Sequence, residues 1–317
     1  MKGLVWLALL VLVLGAALAA WTRLGVRDIE SKHPPIGQFT GMPEALIHYL
    51  DRAAGPGQGA EVPLLFVHGA SGNLKDQWLA YEETLSDGPR RIYVDRPGHG
   101  HSDRAGADDP AAQAARYVDL LDQLEIERAI LVCHSLGCAS AAAMAVEHGS
   151  RVAGLVFVSP ATHPWPGGVT WYYEWADFPI LGWLFTETLV LPVARFSFED
   201  AIKSVFAPNP APRDYGDRIS AELVLRPAAF RANAHDVHRL KPFVETMSKR
   251  YGEITVPTEI ITGDTDDIVA PGIHSVGLER DIKGARLTVL PGVGHKPDYV
   301  ATDTVVEAIE RVQAAAR

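Results

Sequence analysis

The longest apolar stretch comes first. Gly3 to Ala20 carries no charged side chain, and Lys2 and Arg23 bracket it. A helix on a globular core shows a polar face, and this run has none. Its 18 residues, at a rise of ~1.5 Å each, nearly span a hydrocarbon layer of ~30 Å. Trp21 adds an interface-preferring aromatic. Residues 1–21 therefore read as a single-pass membrane anchor. The alternative is a signal segment of an exported or periplasmic protein, because Ala17-Leu18-Ala19 fits a cleavage site. Lys2 argues for an inner amino terminus, whereas Arg23, Arg27 and Lys32 argue the reverse. Residues 22–37 contain Pro34-Pro35 and two glycines and read as a tether.

Past the tether the pattern changes to short apolar runs closed by turn residues. Ala45 to Leu50 reads as a strand or a helix. Val62–Val67, Arg91–Asp95, Ala129–Val132 and Leu155–Val158 suit strands buried on both faces. Helices alternate with them. Asp109-Pro110 supplies an N-cap and a first-turn proline for a helix to about Leu124. An alanine-rich helix covers Ser135–Glu147. The alternation resumes at Val256–Ile261 and Leu287–Leu290 and closes with a helix over Tyr299–Val312. It predicts an α/β fold with a mostly parallel central sheet. Residues 38–160 form the first part of the core and 251–317 the second.

Between them, residues 161–250 break the pattern and hold four of the seven tryptophans. The segment is too long for a plain connection and reads as a helical cap.

Composition narrows the function. The 317 residues carry a formal charge of −10, which makes nucleic acid a poor partner. Cys133 and Cys138 read as two small buried residues, because an i, i+5 pair entering one helix does not readily meet bridging geometry. His235, Asp236 and His238 lack the further ligands that a metal site needs.

The chemistry concentrates at strand ends. Cys133-His134-Ser135-Leu136-Gly137 follows one strand and opens a helix, the context in which a tight turn lifts a serine above the sheet edge. Cys133 stands where the usual pattern has glycine. A serine hydroxyl needs a base, and the base needs an acid to fix its tautomer. His295, in Gly292-Val293-Gly294-His295, and Asp266, in Gly263-Asp264-Thr265-Asp266-Asp267, both follow strands, with Asp264 and Asp267 as alternative acids. The backbone N–H groups of Leu136 and Ala70 are the candidate oxyanion donors. His134, Trp165 and Trp171 are candidates to line an apolar substrate pocket. His68, His99 and His101 read as loop-shaping residues.

These motifs, with Phe66-Val67-His68-Gly69 and Asp95-Arg96-Pro97-Gly98-His99-Gly100-His101-Ser102, resemble the α/β-hydrolase superfamily, specifically its cap-bearing serine hydrolases, over about residues 38–315. The resemblance implies Ser135 as nucleophile and Asp95 as a structural loop residue. It favours Asp266 as the acid, three positions after the glycine. It implies no organic cofactor and no catalytic metal. Ser135 argues against the branches that use an aspartate nucleophile. The expected activity is cleavage of an ester-like bond in a small to medium apolar or aromatic substrate through an acyl-enzyme. C–C bond hydrolysis and perhydrolase or haloperoxidase-like chemistry use the same triad. A membrane-tethered binding module on a dead scaffold is the non-enzymatic alternative.

Overall fold

A computed structural model describes residues 1–317. Eight strands form one sheet in the order β1-β2-β4-β3-β5-β6-β7-β8. At one edge β1 (Gln38–Thr40) and β2 (Ile47–Arg52) run antiparallel, and β2 pairs antiparallel with β4 (Arg91–Val94). The segment 41–52 thus ends in a strand and not a helix. β3 (Leu64–Val67), β5 (Ala129–His134), β6 (Val152–Val158), β7 (Thr258–Gly263) and β8 (Arg286–Leu290) continue the sheet in parallel.

Strands β3 to β7 are buried along their whole length. That is why they read as continuous apolar runs: both faces are covered. Successive side chains serve opposite layers. Leu65, Val67, Leu131 and Phe157 pack with Tyr117, Leu121 and Met144. Leu64, Phe66, Ile130 and Val156 pack with Tyr81, Ile309 and Val312.

The helices are α1 (Lys2–Lys32), α2 (Leu74–Tyr81), α3 (Pro110–Gln123), α4 (Gly137–Glu147), α5 (Trp171–Asp177), α6 (Pro179–Phe185), α7 (Leu191–Phe206), α8 (Tyr215–Arg218), α9 (Pro227–Met247), α10 (Ser275–Asp281), α11 (Pro297–Val300) and α12 (Thr302–Ala315). α5 to α9 all lie between β6 and β7 in the chain. A π-turn, Thr186–Val190, joins α6 to α7. Asp109 caps α3 by accepting from the Ala112 N–H at 2.8 Å.

Two expectations need correction. Residues 22–32 are not a tether, because α1 runs unbroken to Lys32. Thr22, Gly25 and Ile29, spaced on one helix face, are buried, and Ile29 packs with Leu191, Leu223 and Leu225. The glycine that suggested flexibility lets α1 approach Leu191 closely. Cys133 and Cys138 are joined as a disulfide, with Cα atoms 5.0 Å apart. Ser135 has φ of 53°. This left-handed turn folds the first turn of α4 back against the end of β5, so the pair does not sit on one continuous helix.

Candidate active site

Ser135 stands between β5 and α4. Its positive φ is a conformation that costs a non-glycine residue energy. The turn is held by the Ser135 N–H donating to Val158 O at 3.0 Å, and by Cys138 and Ala161 N–H groups donating to Ser135 O at 3.1 Å each. Close neighbours must be small. A Cβ on Gly69 would fall 3.0 Å from that of Ser135, and one on Gly137 would fall 2.9 Å from the Val67 carbonyl.

The three predicted side chains meet. Ser135 Oγ lies 3.0 Å from His295 Nε2, and His295 Nδ1 lies 2.8 Å from Asp266 Oδ2. All three are buried. The geometry fits a tautomer with the proton on Nδ1, donated to the carboxylate, which leaves Nε2 to accept from the hydroxyl. Asp266 Oδ1 accepts from the N–H groups of Ile268 and Val269 at 3.0 and 2.9 Å. Burial works to raise its pKa, but the His295 bond and these amides outweigh burial and hold the carboxyl below its ordinary value. The alternative acids lie elsewhere. Asp264 accepts from Gly292 N–H at 2.7 Å, and Asp267 is exposed.

The N–H groups of Ala70 and Leu136 donate to no acceptor within the protein. Ala70 and Leu136 also pack into an apolar cluster with Ala161, Leu240, Val269 and Trp165. Trp165 therefore packs on the same cluster as Ala70. Trp171 does not. It is 60% exposed, because α5 turns Tyr173 inward, beside Ser71 and Asn233. His134 is almost wholly buried. Its ring packs beside that of His295, and its Nε2–H donates to His295 O at 2.9 Å. Burial keeps it neutral, with its pKa well below the ordinary value.

Two buried networks escaped the sequence reading. In the first, the Lys296 ammonium lies 3.0 Å from Asp76 and 2.9 Å from Asp298, and Tyr215 Oη donates to Asp76 at 2.7 Å. Asp76, Asp298 and His134 converge as metal ligands would, but the cation among them is Lys296. Burial would lower the lysine pKa, yet the two carboxylates raise it. This fixes the residue that follows His295. In the second, Asp236 of α9 pairs with Arg96 and receives Arg104 at 2.6 Å and Gln113 at 3.0 Å. Arg96 also donates to the Gly69 carbonyl at 3.2 Å, and its N–H donates to His68 Nε2 at 3.0 Å. His68 is pushed down to about 3 by burial and the neighbouring guanidinium, so it stays a neutral acceptor. Asp236 thus points inward, while His235 and His238 both bond Asp177 at 2.7 Å.

A sequence profile described as the alpha/beta hydrolase family matches residues 64–308. The chain belongs to the alpha/beta hydrolase family. This hydrolase is 30% identical over 261 residues to a non-heme haloperoxidase of Rhodococcus erythropolis, covering 78% of this chain and 90% of that protein. It is 27% identical over 270 residues to the 2-hydroxy-6-oxononadienedioate/2-hydroxy-6-oxononatrienedioate hydrolase of Paraburkholderia xenovorans, covering 80% and 85%. A shorter match, 41% over 110 residues, links it to the dihydrolipoyllysine-residue acetyltransferase component of the acetoin cleaving system of Cupriavidus necator. It spans 34% of this hydrolase and only 29% of that relative. Among solved structures, a hydrolase from Pseudomonas aeruginosa superposes with a TM-score of 0.70 at 19% identity, covering 88% of this chain and 98% of that one.

Proposed function

We propose that this hydrolase cleaves an ester-like bond of a small to medium apolar or aromatic substrate through an acyl-enzyme on Ser135. The observation that carries the reading is the continuous relay Asp266–His295–Ser135, with links of 2.8 and 3.0 Å.

In the first step His295 Nε2 takes the Ser135 proton as Oγ attacks the carbonyl carbon. Negative charge develops on the carbonyl oxygen. The unengaged N–H groups of Ala70 and Leu136 would hold it, each worth roughly 3 kcal/mol in such a site. The imidazolium formed on His295 is stabilised by Asp266, which remains a carboxylate throughout. His295 then protonates the leaving group and activates the water that releases the acid. The apolar cluster around Trp165 and Leu136 favours an apolar acyl or aryl group beside the reacting carbonyl.

The N-terminal helix belongs to the same reading as a membrane anchor. Its first apolar turns, through Trp6 and Leu14, are exposed to the surroundings of the protein, and it is long and apolar enough to span a bilayer.

A fluorophosphonate probe tests the chemistry. We expect the protein to be labelled and Ser135→Ala to be unlabelled, with p-nitrophenyl acetate turnover lost in parallel. Equal labelling of both would refute the assignment.

A further inference from the structure

The cap has an outer face that water does not suit. From Phe178 to Val193 every exposed side chain is apolar. Ile180 is 79% and Leu181 61% exposed, and Trp183, Leu184 and Leu189 stand out beside them. The stretch holds one carboxylate, Glu187, which turns toward Arg231 at 3.3 Å. No lysine or arginine occurs from 152 to 194. A contiguous apolar patch of this kind marks an interaction site.

Its neighbour indicates the occupant. α6, the π-turn and α7 run on as one helix, Pro179–Phe206, and α1 rests against it through Gly25 and Ile29 at Leu191. On α1 the apolar run stops at Trp21, before Arg23, and on the cap the first exposed charge after Phe178 is Arg195, with Phe196 still exposed beyond it. Arg195 meets Asp28 at 3.2 Å, about two turns past Trp21. Tryptophans lie on both elements, as they do where proteins enter the interfacial layer.

We propose that the outer face of the cap, residues 178–193 with Trp175, is seated in the lipid bilayer beside the N-terminal helix. The hydrolase is then held by two elements: α1 passes into the membrane, and the cap rests in its near leaflet as interfacial helices do. The proposal rests on the membrane reading of α1 and is independent of the chemistry at Ser135.

The test uses the full chain in phosphatidylcholine vesicles whose acyl chains carry bromine, a short-range quencher of tryptophan. A Trp6→Phe/Trp21→Phe variant reports Trp171, Trp175 and Trp183 of the cap against the partly buried Trp78 and Trp165. We expect bromolipid to quench its emission, and further Trp171→Phe, Trp175→Phe and Trp183→Phe substitutions to abolish that quenching. A second variant keeps Trp6 and lacks the cap tryptophans, and so reports the anchor. Cap tryptophans quenched by aqueous acrylamide and not by bromolipid, with Trp6 still quenched by lipid, would overturn the proposal and leave the anchor standing. Cap tryptophans shielded from both quenchers would overturn it in favour of a second copy of the chain on this face. Loss of lipid quenching at Trp6 as well would show that the membrane reading of α1 had failed.

Discussion

His274 shows how one side chain ties the site to pH. Its Nδ1 accepts from the N–H groups of Thr162 and His163, at 3.1 and 3.0 Å, at the point where the chain leaves β6 for the cap. A protonated ring could not accept either bond. Burial, with His163 close by, pushes its pKa down to about 4. In the unfolded chain the value returns to about 6.5. Between these values the unfolded state binds the proton and the native state does not, so this contribution is complete above pH ~6.5 and fades as pH falls toward 4. It amounts to at most roughly 3 kcal/mol. His68, buried and depressed to about 3, adds a slope of the same sign. We expect Tm measured by calorimetry to fall between pH 6.5 and 4. His274→Asn, whose amide oxygen can still accept, should flatten part of that slope. An unaltered slope would show that His274 is not among its sources. At the same scale, Asp266→Asn keeps the shape of the relay but not its charge. It should lower kcat by about 10³–10⁴-fold, which steady-state ester hydrolysis would measure.

At the scale of elements, the cap and the core share one carboxylate. Asp236 on α9 neutralises Arg96, which follows β4 and reaches the Gly69 carbonyl in the oxyanion loop. Both partners are almost wholly buried. Asp236→Ala leaves a buried guanidinium without its main counter-charge, a change that costs about 3–5 kcal/mol. Urea denaturation should show a midpoint shift of that size, with slower fluorophosphonate labelling because the Gly69 loop loses its brace. This network also marks where sequence reading stops. Ser135, His295 and Asp266 were legible because each sits in a short motif at a strand end, and because chain order alone relates them. Strands β3 to β7 were legible because burial on both faces writes an unbroken apolar run. Asp236 was weighed only with His235 and His238 as an incomplete metal-ligand set, since its partner lies 140 positions away. Lys296 went unremarked for the same reason, because nothing near it in sequence reveals Asp76. The α1 extension was misread because Gly25 signals flexibility locally and close helix contact only when Leu191 is opposite.

For the whole molecule, α1 joins the apolar segment rigidly to the cap. Gly25→Leu would force a side chain into the space that Leu191 fills. We expect the variant to be cut by trypsin faster at Arg23 and Arg27 than the parent, read by mass spectrometry of the fragments, with ester hydrolysis by the core little changed. Equal cleavage would mean that the helix does not depend on this contact. The same rigidity gives α5 a further meaning. On one side Tyr173 lies beside Ser71 and Asn233, next to the oxyanion loop. On the other, Trp171 and Trp175 face outward. A helix is about 10 Å across, so the partition between reaction chamber and surroundings is a single helix thick. With that outer side in hydrocarbon, an acyl chain crossing the partition exchanges one oily medium for another. Each methylene then escapes the penalty of about 0.8 kcal/mol for passing through water. Chain length would weigh little on the ease of entry, and the enzyme's discrimination would fall on the head of the substrate, where the scissile carbonyl is.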